Sequence, residues 1–171
     1  MVSLSDIEIG IGTSSWGPSL IWNFGDGYDA SDLREAFTQI ISHPNILLDT
    51  AEIYGLGQSE QFIGLFSEET GKRPFTATKF FPFPWRGHWR TLPNALRASI
   101  HRLKTAQVDL YQIHNRLPPV PIEVWIHGLA AVAEQGLTRA VGVSNYDVSH
   151  TKRAHTALRR RGLHLASNQV R

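Results

Sequence analysis

Cysteine is absent from the chain, which removes disulfide frameworks, thiolate metal sites and cysteine nucleophiles together. Charge of one sign is also lacking: 17 lysines and arginines against 15 acids leave a formal charge of +2, too small a surplus to predict a nucleic-acid partner. No window reaches about 18 consecutive apolar residues. The opening "MVSLSDIEIGIGT" has neither the basic start nor the apolar stretch of a leader. Membrane association is therefore not expected, and a cysteine-free chain of this kind reads as cytoplasmic. A dinucleotide fingerprint is missing too, because "GIGTSSWG" places Gly10, Gly12 and Gly17 outside the G-x-G-x-x-G spacing. His43, His88, His101, His127, His150, His155 and His164 form no H-E-x-x-H pattern and no i,i+4 pair, so no metal is predicted. Pro/Ser-rich linkers and low-complexity tracts do not occur, and 42% hydrophobic content suffices for one packed domain.

What the chain has is alternation. Short apolar or β-branched runs recur at intervals of about thirty residues: "IEIGIGT" (7–13), "NILLDT" (45–50), "FTATKF" (75–80), "VDLYQIH" (108–114), "RAVGVSN" (139–145) and "LHLASNQV" (163–170). Between them lie segments with helical signals. "ASDLREAFTQIIS" carries Leu33, Phe37, Ile40 and Ile41 on one stripe, with Ser31 or Asp32 as N-cap. "QSEQFIGLFSEE" and "TLPNALRASIHRLK" follow. "PIEVWIHGLAAVAEQG" stops at Gly136, and "DVSHTKRAHTALRRRG" runs from Asp147 to three arginines and Gly162, the charge order that suits a helix dipole.

Such a βα repeat predicts a parallel sheet covered by helices, either open or closed as a (β/α)8 barrel. The strand ends favour the barrel. Each finishes in a polar group: Thr13, Asp49, Lys79, His114, Ser144 with Asn145, and Asn168 with Gln169. In a barrel those ends converge on one mouth, whereas an open sheet spreads them along an edge. The expected fold is α/β of the TIM-barrel type, here an incomplete barrel of about six βα units.

Asp49 closes an apolar strand, and an acid in that position needs a partner. Lys79, one strand further on, is the natural counter-ion. An ammonium near Tyr54 favours the phenolate over the phenol, making the side chain a better proton donor near neutral pH. His114 is placed to hydrogen-bond a substrate oxygen. A proton donor without nucleophile or metal suits addition of hydride to a carbonyl.

In these residues the sequence resembles the aldo-keto reductase family: Asp49 and Tyr54 in "LDTAEIYG", Lys79 in "ATKF" and His114 in "DLYQIHN" follow its Asp, Tyr, Lys, His order. The resemblance runs from about residue 7 to the end. It implies catalytic roles for Asp49, Tyr54, Lys79 and His114, and NADPH/NADP as cofactor without a Rossmann domain. It also implies cofactor contacts from Thr13, Asp49, Ser144, Asn145 and Gln169, and a substrate pocket lined by Trp16, Phe81 and Trp85. The implied reaction is NADP(H)-dependent reduction of a small aldehyde or ketone to an alcohol, with Tyr54 donating the proton. Asn115 follows His114 where many members carry an aromatic residue, so one wall of the usual pocket is either missing or supplied by "FFPFPWRGHW". Counterparts of strands 7 and 8 are absent, so residues 1–171 read as a partial barrel domain, impaired or inactive alone. Its open edges invite self-association. The alternatives are a non-catalytic nicotinamide-binding regulatory subunit and an inactive truncated fragment.

Overall fold

The computed structural model describes residues 6–18 and 22–170; residues 1–5, part of the stretch read for a leader, lie outside it, as do 19–21 and 171. Six strands alternate with five helices in chain order: β1 (Ile9–Gly12), α1 (Ala30–Ile40), β2 (Ile46–Asp49), α2 (Gln58–Thr70), β3 (Phe75–Phe80), α3 (Thr91–Arg102), β4 (Val108–Ile113), α4 (Ile122–Glu134), β5 (Thr138–Ser144), α5 (Val148–Arg159) and β6 (Leu165–Gln169). All neighbours are parallel and the sheet order is the chain order. No described helix is long and apolar enough to cross a membrane.

One hydrogen bond reports the curvature. Gln169, at the end of β6, donates its side-chain amide to Asp49 Oδ2, at the end of β2, over 2.8 Å. Four strand spacings would set these positions about 19 Å apart in a flat sheet, beyond the reach of the two side chains. The sheet therefore curls into a half-barrel that brings its strand ends together.

Alternation along the strands divides the side chains between two faces. Thr78, Phe80, Tyr111 and Ile113 turn outward beneath the helices, where Phe80 meets Trp125 of α4 at 5.2 Å between ring centroids. Phe37, Phe66, Leu96, Leu129 and Leu158 complete that fully buried outer layer, each such side chain contributing roughly 1.5–3 kcal/mol. Asp49, Lys79 and Gln112 turn inward: Asp49 is in register with Ala77, and Lys79 with Gln112.

The helix ends differ in one respect from the sequence reading. Asp29, not Ser31 or Asp32, is the N-cap of α1; its carboxylate accepts from the Ser31 and Asp32 amides while Asp32 reaches back to the Asp29 amide. This reciprocal capping box satisfies donors at both ends of the first turn, which neither alternative offers. Asp147 caps α5 through the His150 amide, and Gly136 lies just past α4 at φ 68°, both as predicted.

Candidate active site

The site assembles where β2 to β6 end. Lys79 is 1% exposed, and its ammonium donates to Asp49 Oδ1 at 2.6 Å and to the Thr50 carbonyl at 3.1 Å. Asp49 is thereby satisfied on both oxygens, by Lys79 on one and by Gln169 on the other. Burial depresses the lysine's pKa, and the charge and hydrogen bond of Asp49 oppose that shift.

Tyr54 reaches this pair through a tight turn. Its amide donates to the Ala51 carbonyl, and the chain then passes through positive φ at Gly55, Leu56 and Gly57. Gly55 is required twice over: a Cβ there would lie 3.2 Å from Gly17 Cα, so the β1–α1 and β2–α2 loops touch glycine to glycine. The turn sets the Tyr54 ring with its centroid 5.2 Å from Lys79 Nζ. On its other side the ring meets the His114 imidazole edge-on, 5.6 Å between centroids.

A cleft of about 800 Å³ opens over these groups, lined among others by Gly12, Asp49, Tyr54, Phe81, His114 and Asn145. Ring stacking continues outward from His114. Phe81 meets it at 5.5 Å, Phe83 meets Phe81 at 4.6 Å, and Trp85 stacks on Phe83 at 4.5 Å. Leu56 projects at the rim, 94% exposed, on backbone that a non-glycine residue adopts only at a cost.

Polar amides and a hydroxyl gather on the β5 and β6 side. Asn145, at φ 58°, donates its side chain to the His114 carbonyl at 3.3 Å and to Ser144 Oγ at 3.1 Å. Ser144 donates to the Gln169 carbonyl at 3.0 Å. These groups tie the ends of β4, β5 and β6 together beside the Tyr54–His114 contact.

Ser144 and Gln169 stand beside the cleft without lining it, and three further assignments lie away from it. Trp16 is 5% exposed and packs edge-on against Phe37 and Phe66, each at 6.4 Å; Gly17, at φ 124°, turns the chain so that the indole enters the helix layer and not the pocket. Thr13 is fully buried, its hydroxyl donating to the Asp49 carbonyl at 3.1 Å and accepting from Ser59 at 2.7 Å. It holds β1 against β2, and its neighbours Gly12 and Ser14 face the cleft instead. Trp85 is 78% exposed and stands beyond the cleft lining at the outer end of the stack.

The structure also places groups that the sequence reading passed over. Trp22 and Ile53 line the cleft, together with the Asn115 that the sequence already singled out. Gln112 lies below the site, donating to Ser167 Oγ at 3.1 Å. Glu52, between Asp49 and Tyr54, is almost buried; an acid inside a motif that already holds two site residues was the available signal.

A curled parallel β/α sheet gathers an acid, an ammonium, a phenol and an imidazole at its strand C-termini, the place where a (β/α)8 barrel carries its active site. The model of the aldo/keto reductase family matches residues 8–171, and the chain belongs to that family. It is 38% identical to the chloroplastic pyridoxal reductase of Arabidopsis thaliana over 99% of its own length and 50% of the relative's. The aldo-keto reductase YhdN of Bacillus subtilis is 35% identical over 82% of this chain and 44% of that one. Among solved structures, a thermostable aldo-keto reductase bound to the inhibitor epalrestat superposes with a TM-score of 0.80 at 29% identity, covering 95% of this chain and 57% of the other. An aldo/keto reductase from Klebsiella pneumoniae in complex with NADP and acetate gives 0.74 at 28% identity, covering 95% and 53%. The chain spans about half the length of the curated relatives it matches.

Proposed function

We propose that this chain carries the catalytic half of an NADP(H)-dependent reductase that converts aldehydes or ketones to alcohols, with Tyr54 as proton donor. The observation that carries the reading is Lys79 held between Asp49 and the Tyr54 ring. A phenol gives up its proton more readily beside a cation, and the cation stays in a buried place because Asp49 neutralises it. His114, packed against Tyr54, is positioned to orient a carbonyl oxygen toward the phenol, which then protonates the oxygen as it gains charge.

The donor set fits one end of the cofactor. Ser144, Asn145 and Gln169 offer a hydroxyl and two amides, the groups that pair with a nicotinamide carboxamide. Among the described residues no lysine or arginine lines the cleft, so the chain by itself is proposed to hold the phosphates weakly. When bound, the dinucleotide supplies the hydride. The Klebsiella relative was solved with NADP, which supports the choice. Residues 1–171 are read as part of one (β/α)8 domain, the relatives being about twice as long.

The substrate class follows from the stacked rings beside His114. Phe81 lines the cleft against His114 and is backed by Phe83, an apolar, aromatic face that favours an aromatic carbonyl. The Arabidopsis relative is a pyridoxal reductase, and pyridoxal is an aromatic aldehyde. Oxidation of NADPH, followed by absorbance with benzaldehyde, pyridoxal and propanal, tests the reading. In the protein extended through all eight strands, stoichiometric alcohol, formed fastest from the aromatic aldehydes, is the expected result; NADPH binding with no alcohol from any aldehyde overturns the reading.

A further inference from the structure

Glu52 lies on the turn between Asp49 and Tyr54, yet none of the catalytic steps uses it. Its backbone amide donates to the Lys79 carbonyl at 3.3 Å. Its Oε1 accepts from the Phe81 amide at 2.6 Å and from Arg86 Nη1 at 2.5 Å, and Arg86 Nη1 also donates to the Phe81 carbonyl at 3.1 Å. The Glu52 side chain is 8% exposed and that of Arg86 24%, so water competes weakly for this pair. The guanidinium lies 4.9 Å from the Phe80 ring centroid and 5.4 Å from that of Phe83, a placement that uses its flat, weakly hydrated faces as well as its donors.

Both ends of the pair land beside the site. Glu52 is two residues before Tyr54, and Phe81 is two after Lys79 and packs on His114. A clamp serving only the loop could join the chain anywhere along residues 81–90; this one grips the main chain of Phe81 on both its amide and its carbonyl. We propose that Glu52 and Arg86 are positioning residues that fix Phe81 against His114 and thereby set the preference for aromatic carbonyl substrates. The inference rests on the carbonyl-reduction reading.

Glu52→Gln keeps the shape and removes the charge, whereas Arg86→Lys keeps the charge and removes the fork. In Glu52→Gln the KM for benzaldehyde rises about tenfold while that for propanal moves less than about threefold, the scale of one altered apolar contact. Arg86→Lys gives an intermediate shift, and Phe81→Leu added to Glu52→Gln raises KM no further. Amide exchange at residues 81–86 quickens in Glu52→Gln. An unchanged exchange rate overturns the tie; faster exchange with both KM values moving alike reduces the pair to a structural clamp and overturns the specificity role. Should the wild-type protein extended through all eight strands reduce no aldehyde, the reductase reading itself fails. The tie is then judged by benzaldehyde quenching of tryptophan fluorescence, where equal affinity in wild type and Glu52→Gln also overturns it.

Discussion

Two buried carboxylate–cation pairs sit on opposite faces of the same sheet. Asp49–Lys79 points into the half-barrel; Glu60–Arg102 lies outside it, joining α2 to α3, with Glu60 fully buried and accepting from Thr78 of β3 as well. Their distances are alike, both 2.6 Å. What differs is the company. Glu60 is enclosed by structural partners alone, whereas the Lys79 ammonium lies against the Tyr54 ring and its partner Asp49 lines an open cleft. A buried ion pair is thus weak evidence of function. A pair that leaves one face toward a cleft and a second titratable group is stronger evidence.

Breaking the outer pair gives the largest expected effect on stability. Arg102→Met strands the Glu60 charge in the helix layer and costs about 3–5 kcal/mol, read as a lower urea midpoint, while turnover per folded molecule stays the same. Lys79→Met is the opposite case. Asp49 keeps Gln169 and borders the cleft, so the stability loss is smaller, about 1–3 kcal/mol, but turnover falls by at least about a hundredfold. Equal stability losses with retained turnover would erase the distinction between the two pairs.

Acidity sharpens the same contrast. The folded pKa of Lys79 is depressed by burial, so in the window between that value and the ordinary lysine pKa the unfolded chain binds more protons. Stability linked to this group therefore rises with pH through that window. In the proposed mechanism turnover requires the charged ammonium, so it is expected to fall over the same range. A pH–rate profile whose basic limb lies below the ordinary lysine range, with no matching loss of fold by circular dichroism, is the expected result.

A further effect tests the packing around the outer pair. A Cβ at Gly64 of α2 would lie 2.8 Å from the Leu103 carbonyl carbon, so Gly64→Ala forces α2 away from the end of α3 and costs about 1–3 kcal/mol. It leaves kcat unaltered. The smallest change is at Asp147, whose pKa is lowered by the His150 amide and side chain. Its contribution to stability is present above the ordinary carboxylate pKa and lost as pH falls through the folded one. Asp147→Ala accordingly lowers the melting temperature slightly at neutral pH and not at all in strong acid.

The barrel was legible because two local signals agree: strand-length apolar runs at a βα period, and a polar residue at the end of each run. All six strands formed within a few residues of their predicted positions. The acid, lysine, tyrosine and histidine were also readable, since each belongs to a short motif and curvature brings the motifs together. Other features depended on geometry that no local pattern carries. Trp16 follows a strand end as a pocket residue would, but the turn at Gly17 sends it into the helix layer. Glu60 and Arg102 are 42 positions apart, and Glu52 and Arg86 are 34 apart; each looks like a solvated charge until its partner is known. Asp29 was missed as a cap because it stands one residue outside the helical stripe, where reciprocal bonding and not periodicity decides.

Tyr54→Phe provides the most direct test, because it removes one oxygen and leaves the ring, the lysine and the acid where they are. Stopped-flow mixing of an aromatic aldehyde with NADPH and the variant should show single-turnover hydride transfer slowed by at least about a hundredfold, with affinity for the dinucleotide kept. Transfer at a rate within about threefold of the wild type would show that the proton comes from another source, and the role given to the phenol would be wrong.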